Sequence, residues 1–200
     1  MRRWHDDPYT KKAQREDYEA RSVYKLEEID RRERIFDSAR LVVDLGASPG
    51  SWSQYVLRKV PKSKVVAVDL SPLRVSDPRL QFFQKDINEM NWDETLGEEK
   101  ADVVLSDMAP KTSGIHDRDV LLSFELASMA LDVAKKSLKP NGKFVVKIFM
   151  GDTFDEFEDL MKNAFKEVRR LRPETTRKHS REIYFIGKSL RPIGEHQPVP

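Results

Sequence analysis

The chain has 200 residues, of which 36 are Lys or Arg, 34 are Asp or Glu and none is Cys. That length predicts one domain whose core needs no covalent cross-links. The lack of cysteine excludes a disulfide scaffold and a thiol nucleophile, and the 4 histidines lie too far apart in sequence to build a metal site. No apolar run reaches the ~18 residues of a membrane span, and the N-terminus lacks the apolar stretch of a signal peptide. We therefore expect a cytoplasmic protein with no metal and no membrane partner.

Two basic regions lie behind the small net charge of +2. One covers the first forty residues and the other runs from Arg169 to Arg181. A nearly neutral chain with separated charges can present a cationic face to a polyanion, although neighbouring acids can also balance such residues on a solvated surface. The candidate nucleic-acid contacts are Arg2, Arg3, Lys11, Lys12, Arg15, Arg21, Arg177 and Arg181.

Apolar periodicity predicts an alternation of helices and strands. The N-terminal part contains two short helices, over 10–20 and 22–35, and Ser22 is placed as the N-cap of the second. The first buried strand is Leu41–Leu45. The later predicted elements are a helix over 51–59 opened by a capping box from Ser51 to Gln54, strands Val65–Val68 and Leu80–Phe83, a weak helix over 88–98, strand Val103–Ser106, a long amphipathic helix over 118–138, strand Lys143–Met150, a helix over 153–164, and strands over 165–172 and 182–188.

This alternation predicts an α/β fold with a doubly wound, mostly parallel seven-stranded sheet. The last two strands follow each other without a helix between them, so one must be antiparallel, which gives a terminal antiparallel β-hairpin. We expect a single domain over 1–190 with a basic helical extension over 1–36. The tail, residues 191–200, is expected to be disordered.

Ionisable side chains stand at the ends of five consecutive predicted strands. They are Asp44, Asp69, Asp86 and Asp107, each at or just after a strand end, and Lys147 inside the fifth strand. Open α/β sheets bind ligands at the carboxyl ends of their strands. One such acid is usually a helix cap or a turn residue, but burying five charges at one edge without a purpose would be costly. The pattern therefore predicts a functional site there.

The turn after the first strand, Gly46-Ala-Ser48-Pro49-Gly50, admits three interpretations. A dinucleotide site is disfavoured because the second and third glycines of GxGxxG are missing. The turn formally matches the GxSxG of serine hydrolases, but the residue after the nucleophile must donate its backbone N–H to the oxyanion, and Pro49 has none. The third interpretation is a ligand with adenosine and no pyrophosphate, namely S-adenosylmethionine.

The acids at the following strand ends fit the third interpretation. Backbone N–H groups of the turn suit a methionine carboxylate, Asp69 suits the ribose hydroxyls and Asp86 can accept from the adenine amino group. Asp107-Met-Ala-Pro110 lacks the aromatic residue that enzymes acting on base amines use to stack a flipped base. An oxygen acceptor is therefore favoured over a nitrogen acceptor.

Lys147 lies in a strand that should be buried on both faces. It could simply extend its ammonium towards solvent at the strand end. Alternatively, burial disfavours the charged form of a lysine, and such a lysine can orient or deprotonate an alcohol. A buried ammonium needs acidic partners, for which Asp107 and Glu182 are the candidates.

Five short segments together resemble the FtsJ (RrmJ) family of ribose 2′-O-methyltransferases. They are Arg21–Leu26, Asp44–Tyr55, Ser106–Pro110, Phe144–Phe149 and Ser180–Tyr184. The resemblance runs from about Tyr18 to Gly187, and the five segments in this order make it specific. It implies a Rossmann-like methyltransferase fold with S-adenosylmethionine as cofactor and S-adenosylhomocysteine as product.

The resemblance also implies roles for individual residues. The family's catalytic tetrad falls on Lys25, Asp107, Lys147 and Glu182. The cofactor contacts fall on Gly50, Trp52, Asp69, Asp86 and Asp107, beside Gly46, Ser48 and Pro49 of the turn. The implied substrate is structured RNA, with a uridine ribose of large-subunit ribosomal RNA favoured. A tRNA anticodon loop and a non-catalytic role in ribosome assembly remain alternatives. DNA is excluded because it lacks the 2′-hydroxyl, and we expect a monomer.

Overall fold

Seven strands form one mixed sheet in the computed structural model, which describes residues 7–177 and 179–192. The strands are β1 (Leu41–Leu45), β2 (Lys64–Asp69), β3 (Leu80–Gln84), β4 (Ala101–Ser106), β5 (Leu138–Phe149), β6 (Phe165–Leu171) and β7 (Glu182–Leu190). Their spatial order is β3-β2-β1-β4-β5-β7-β6. The neighbouring pairs among β1 to β5 are all parallel, whereas β7 is antiparallel to both β5 and β6. The predicted fold class is confirmed, including its antiparallel C-terminal hairpin.

Helices cover both faces of this sheet. They are α1 (Pro8–Arg15), α2 (Val23–Glu33), α3 (Ser51–Lys59), α4 (Trp92–Leu96), α5 (His116–Ser137) and α6 (Phe154–Ala164), with a short 3-10 turn at Ile87–Glu89. Side chains alternate along β1, so that Val42 packs with α1, α2 and α3, while Val43 packs with α4, α5 and α6. Both valines are fully buried, as expected for a strand covered on two faces.

Several predicted boundaries differ from the structure. The first helix ends at Arg15, and the weak helix predicted over 88–98 is a 3-10 turn followed by a single short helix. β5 begins at Leu138, five residues before the predicted start at Lys143, because it continues through an irregularity in its pairing with β4. Of the tail predicted over 191–200, residues 193–200 lie outside the described residues.

The capping box predicted for α3 is wrong. Gly50 is the N-cap of this helix, and no side chain caps it. The hydroxyl of Ser51 instead lies 2.8 Å from that of Ser22. The side chain of Gln54 accepts from Glu19 N at 3.1 Å and donates to the carbonyl of Asp17 at 2.7 Å. The polar residues read as a cap therefore attach the N-terminal helices to α3.

In the part of the chain that the structure describes, no helix has both the length and the apolar character needed to cross a lipid bilayer.

Candidate active site at the carboxyl ends of the strands

A cavity of about 400 Å³ opens at the carboxyl ends of β1 to β4. Five of the residues predicted to contact the cofactor line it, namely Gly46, Ser48, Asp69, Asp86 and Asp107. The parallel strands explain this convergence, because each chain leaves the sheet at the same edge. The structure thus brings together Asp69 and Asp107, which are 38 residues apart in sequence.

The backbone of the glycine-rich turn lies very close to neighbouring segments of the chain. Gly46 has φ 72°, and a Cβ there would lie 2.5 Å from Cγ of Met108. Gly50 has φ 119°, and a Cβ there would lie 2.5 Å from Cγ2 of Val75. These two positions need glycine both for the left-handed backbone and for the close approach. The turn therefore packs closely against Met108 and Val75, and its residues Gly46 and Ser48 line the cavity.

Asp69 connects the two turns that border the cavity. Its carboxylate accepts from the backbone N–H of Ser48 at 3.0 Å and from that of Ser71 at 2.7 Å. Asp86 is the N-cap of the 3-10 turn and accepts from Asn88 N at 2.9 Å. Both acids thus shape the cavity wall through local backbone bonds, and their contacts with ribose and adenine stay predictions.

Three other predicted cofactor residues, Pro49, Gly50 and Trp52, are not among the lining residues of this cavity. The indole of Trp52 is 2% exposed, and its Nε1 donates to the carbonyl of Ser22 at 3.0 Å. Its ring centroid lies 5.9 Å from that of Tyr184. Trp52 therefore packs between the start of α2 and β7, and its role as a cofactor contact remains a prediction.

The predicted tetrad forms two ion pairs beside the cavity. Lys147 Nζ lies 2.9 Å from Asp107 Oδ1 and also donates to the Asp107 carbonyl at 2.5 Å. Lys25 Nζ lies 2.6 Å from Glu182 Oε2. Lys147 is only 5% exposed, so its charge depends on these acceptors rather than on water. Of the two acids considered for Lys147, Asp107 contacts it, while the ion pair of Glu182 is with Lys25.

Tyr184 is a site residue that the sequence analysis did not assign. Its hydroxyl donates to Asp107 Oδ1 at 2.7 Å, and the residue is fully buried. Burial first, and then the nearby carboxylates Asp107 and Glu182, raise the pKa of the Tyr184 hydroxyl well above its usual value. It therefore acts as a neutral donor. The available signal was its spacing, because a residue two positions after Glu182 lies on the same face of a strand.

The charges around Asp107 outweigh its desolvation. Burial alone would raise the pKa of this carboxyl, but the ammonium groups of Lys147 and Lys25, helped by the hydrogen bond from Tyr184, hold the pKa below its ordinary range. Asp107 is consequently an anion at neutral pH. Its carboxylate can accept a hydrogen bond from a donor, or orient an ammonium group, while it remains an anion.

Asp44, which the sequence analysis placed among the strand-end acids without a specific role, has the opposite environment to Asp107. Its Oδ2 accepts from the Ser53 hydroxyl at 2.7 Å, while its Oδ1 is buried with no hydrogen-bond partner among the described residues. Burial raises the pKa of Asp44 to about 7, and the charges of Asp107 and Asp69 add to the effect while Ser53 opposes it. The interruption of an apolar strand by an acid was the sequence signal for such a group.

The predicted nucleic-acid contacts are distributed over several elements. Lys11, Lys12 and Arg15 lie on α1, while Arg2 and Arg3 lie outside the described residues. Arg21 and Arg177 meet at the carboxylate of Asp7. The carbonyl of Arg181 accepts from Met150 N at 2.9 Å, next to the end of β5.

Within residues 7–177 and 179–192, no group of three or more His, Cys, Asp or Glu side chains is arranged to hold a metal ion.

Comparison with known proteins gives one consistent result. The family model described as FtsJ-like methyltransferase matches residues 18–190. A protein of Bdellovibrio bacteriovorus named ribosomal RNA large subunit methyltransferase E is 45% identical over 190 residues, covering 92% of this chain and 97% of the relative. A protein of Pelagibacter ubique with the same name is 43% identical over 188 residues, covering 92% of each chain.

A solved structure agrees with these sequence matches. The crystal structure of a ribosomal RNA methyltransferase from Plasmodium falciparum superposes with a TM-score of 0.75 at 27% identity. The match covers 86% of this chain and 98% of that chain.

Proposed function

Since this chain belongs to the FtsJ-like methyltransferase family, we propose that it transfers a methyl group from S-adenosylmethionine to a ribose 2′-oxygen of large-subunit ribosomal RNA. The observation that carries the proposal is the contact between the buried Lys147 and Asp107 at the edge of the cavity. The names of the curated relatives support the ribosomal substrate over tRNA. A uridine is the base that the family resemblance favours.

The residues around the cavity fit S-adenosylmethionine. Gly46 and Ser48 of the turn line the cavity, and Asp69 and Asp86 offer carboxylate oxygens to hydroxyl and amino donors. The exposed side chain of Leu70 supplies apolar surface at the same wall. When bound, the cofactor supplies a methyl group already activated by a sulfonium. No pyrophosphate is present in such a ligand, which agrees with the incomplete GxGxxG pattern.

The tetrad supplies alignment and proton handling for the acceptor hydroxyl. Asp107 fixes Lys147 Nζ beside the cavity, where Lys147 orients the 2′-hydroxyl as an ammonium or, in its neutral form, takes up the hydroxyl proton as charge develops on oxygen. Lys25, held by Glu182, fixes the ribose from the side of α2. Alignment of this kind can contribute on the order of 7 kcal/mol to lowering the barrier. Tyr184 holds Asp107 in the orientation that Lys147 needs.

The basic residues of α1 and of the segment before β7 hold RNA phosphates without reading sequence. DNA is not a substrate, because the acceptor atom is missing from it. The same proposal treats residues 1–190 as one methyltransferase domain that acts as a monomer on ribosomal RNA in the cytoplasm.

The decisive experiment measures transfer of labelled methyl from S-adenosylmethionine to two acceptors in parallel. These are large ribosomal subunits and total tRNA, both from cells that lack the protein. We expect label on a ribose of the large-subunit RNA, recovered as a 2′-O-methylated nucleoside after digestion. Label in tRNA instead would replace the substrate, label on a base would refute the chemistry, and cofactor binding without transfer to either acceptor would refute the proposed substrates.

A further inference from the structure

An internal carboxylate neutralises two arginines at the junction between the N-terminal helices and the segment before β7. Arg21 forms an ion pair with Asp7 Oδ2, and Arg177 Nε lies 3.6 Å from the same oxygen. Arg21 also donates through Nη2 to the carbonyl of Thr175 at 2.6 Å, and its guanidinium lies 5.4 Å from the ring centroid of Tyr9. Two guanidinium groups thus converge on one half-buried anion.

This cluster borders the tetrad. Arg21 precedes α2 and lies four residues before Lys25, whose ammonium pairs with Glu182. Burial and the charge of Arg177 lower the pKa of Arg21, and Glu182 opposes them, so Glu182 lies within electrostatic range of this guanidinium. A ribose held at Lys25 has a phosphate on each side within one nucleotide. The two arginines therefore stand where the backbone of a bound RNA must pass.

Two guanidinium groups face a single carboxylate oxygen, Oδ2 of Asp7. Arginine forks match phosphate and carboxylate oxygens equally well, and a backbone phosphate presents both of its non-bridging oxygens, whereas Oδ1 of Asp7 is engaged with Tyr9 N and Thr10 N. The hydroxyls of Thr175 and Thr176, next to Arg177 in the chain, are buried and have no hydrogen-bond partner among the described residues. The segment that carries Arg177 thus holds two further hydroxyl donors.

We propose that Asp7 occupies a binding site for a backbone phosphate of the substrate RNA, and that the RNA displaces its carboxylate from Arg21 and Arg177. The identity of the ligand as RNA rests on the proposed function, whereas the anion site rests on the geometry alone. Asp7 then weakens RNA binding in the free protein and gives up its second oxygen when a substrate phosphate arrives. Its first oxygen, Oδ1, caps α1 by accepting from Tyr9 N and Thr10 N, so that α1 keeps its N-cap.

The variant Asp7→Asn separates these two roles. Asparagine is as good an N-cap as aspartate, so α1 is kept while the charge that pairs with the arginines is removed. Asp17→Asn is the matched control, because Asp17 lies in the same N-terminal segment and pairs with Arg58 at 3.3 Å, away from the cluster. Both variants change the net charge by the same amount.

The test measures binding of a short fluorescein-labelled RNA hairpin by anisotropy over a range of salt concentrations. We expect Asp7→Asn to bind roughly threefold to fivefold more tightly than Asp17→Asn, the range of a partly exposed ion pair. Arg21→Gln should weaken binding and reduce the salt slope by about 1, as expected for one lost phosphate contact. In the double variant Asp7→Asn with Arg21→Gln, the gain from Asp7→Asn should disappear.

Other results would overturn the proposal. Equal affinities of Asp7→Asn and Asp17→Asn would show that Asp7 does not compete with RNA for the two arginines. Weaker binding by Asp7→Asn, with an unchanged melting temperature, would show the same. If Asp7→Asn increased protection from unfolding by inorganic phosphate without increasing hairpin affinity, the site would serve a free anion and not RNA. These readouts need no methyl donor, so a failure of methyl transfer with an intact Asp7→Asn gain would refute the proposed function alone.

Discussion

The proposed site has a cofactor side, at Asp69 and Asp86, and a catalytic side, at the tetrad of Lys25, Asp107, Lys147 and Glu182. The residues that form contacts at the two sides are separated by very different distances in sequence. At the cofactor side, Asp86 bonds a backbone N–H 2 residues away, and Asp69 bonds one 2 residues away and another 21 residues away. At the catalytic side, Lys25 and Glu182 are 157 residues apart. The first side is built by turn chemistry within successive βα units. The second exists only because the sheet order places α2, β5 and β7 together.

The pKa values of Asp44 and Asp107 show what this difference in contacts does to the charge of an acid. Asp44 lies in β1 and is buried, while Asp107 follows the neighbouring strand β4 and its side chain is 18% exposed. Asp107 has Lys147 and Lys25 nearby and its pKa is lowered, whereas Asp44 accepts a hydrogen bond from the Ser53 hydroxyl and its pKa is raised to about 7. Desolvation acts to raise the pKa of both acids, so the lysines beside Asp107 account for the difference in charge.

The largest effect is expected from breaking the catalytic side at Lys147. In Lys147→Met, a side chain of similar length keeps the strand packed but can neither orient nor deprotonate the hydroxyl. We expect the single-turnover rate of methyl transfer to fall on the order of 1000-fold, within the usual range for a lost acid–base group. Binding of S-adenosylmethionine, measured by calorimetry, should change little, because the cavity lining does not include Lys147.

A matched lysine tests whether this loss is specific. Lys139 forms a 2.6 Å ion pair with Asp102 at the opposite end of the sheet. We expect Lys139→Met to retain methyl transfer within about twofold, since it is remote from the site. If the two variants lost activity equally, or if Lys147→Met stayed active while folded, the role assigned to Lys147 would be wrong.

The next largest effect is expected at Asp44, on the pH dependence of the free energy of unfolding. The ordinary pKa of an aspartate, 3.8, applies to unfolded Asp44, and the folded value is about 7. Stability contributed by the protonated carboxyl is complete below the unfolded pKa and is lost as the pH rises through the folded pKa. Asp44→Asn cannot ionise and avoids this loss. Its free energy of unfolding relative to the parent should therefore be greater at pH 8.5 than at pH 5 by about 2 to 3 kcal/mol.

Chemical denaturation at the two pH values measures this difference. The exposed acid Asp132, which pairs with Lys135 at 3.2 Å, provides the control Asp132→Asn. A relative stability of Asp44→Asn that is the same at both pH values would mean that Asp44 is already ionised in the folded protein. Asp44 and Asp107 would then not differ in charge state.

The same contrast explains how much of the molecule could be predicted. Strand ends, the glycine-rich turn and the fold class follow from local patterns, and the structure confirms the sheet. The pairing of Lys25 with Glu182 instead of Lys147 with Glu182 could not be derived, because it depends on the register of β7 against β5. The partners of the polar residues at the start of α3 could not be derived either, because they too lie far away in sequence. Ser51 and Gln54 have the spacing of a capping box but bond to the N-terminal segment.

The smallest effect should come from Tyr184, which reaches the chemistry only through Asp107. In Tyr184→Phe the ring packing is kept and the 2.7 Å hydrogen bond to Asp107 Oδ1 is lost. Lys147 and Lys25 still hold Asp107 as an anion, so the carboxylate loses orientation rather than charge. We expect kcat to fall about fivefold, the equivalent of one ordinary hydrogen bond, with KM for RNA and cofactor affinity unchanged. A drop as large as that of Lys147→Met would place Tyr184 in the proton transfer itself. A lower melting temperature with unchanged kcat would mean that the hydroxyl stabilises the fold and does not position Asp107.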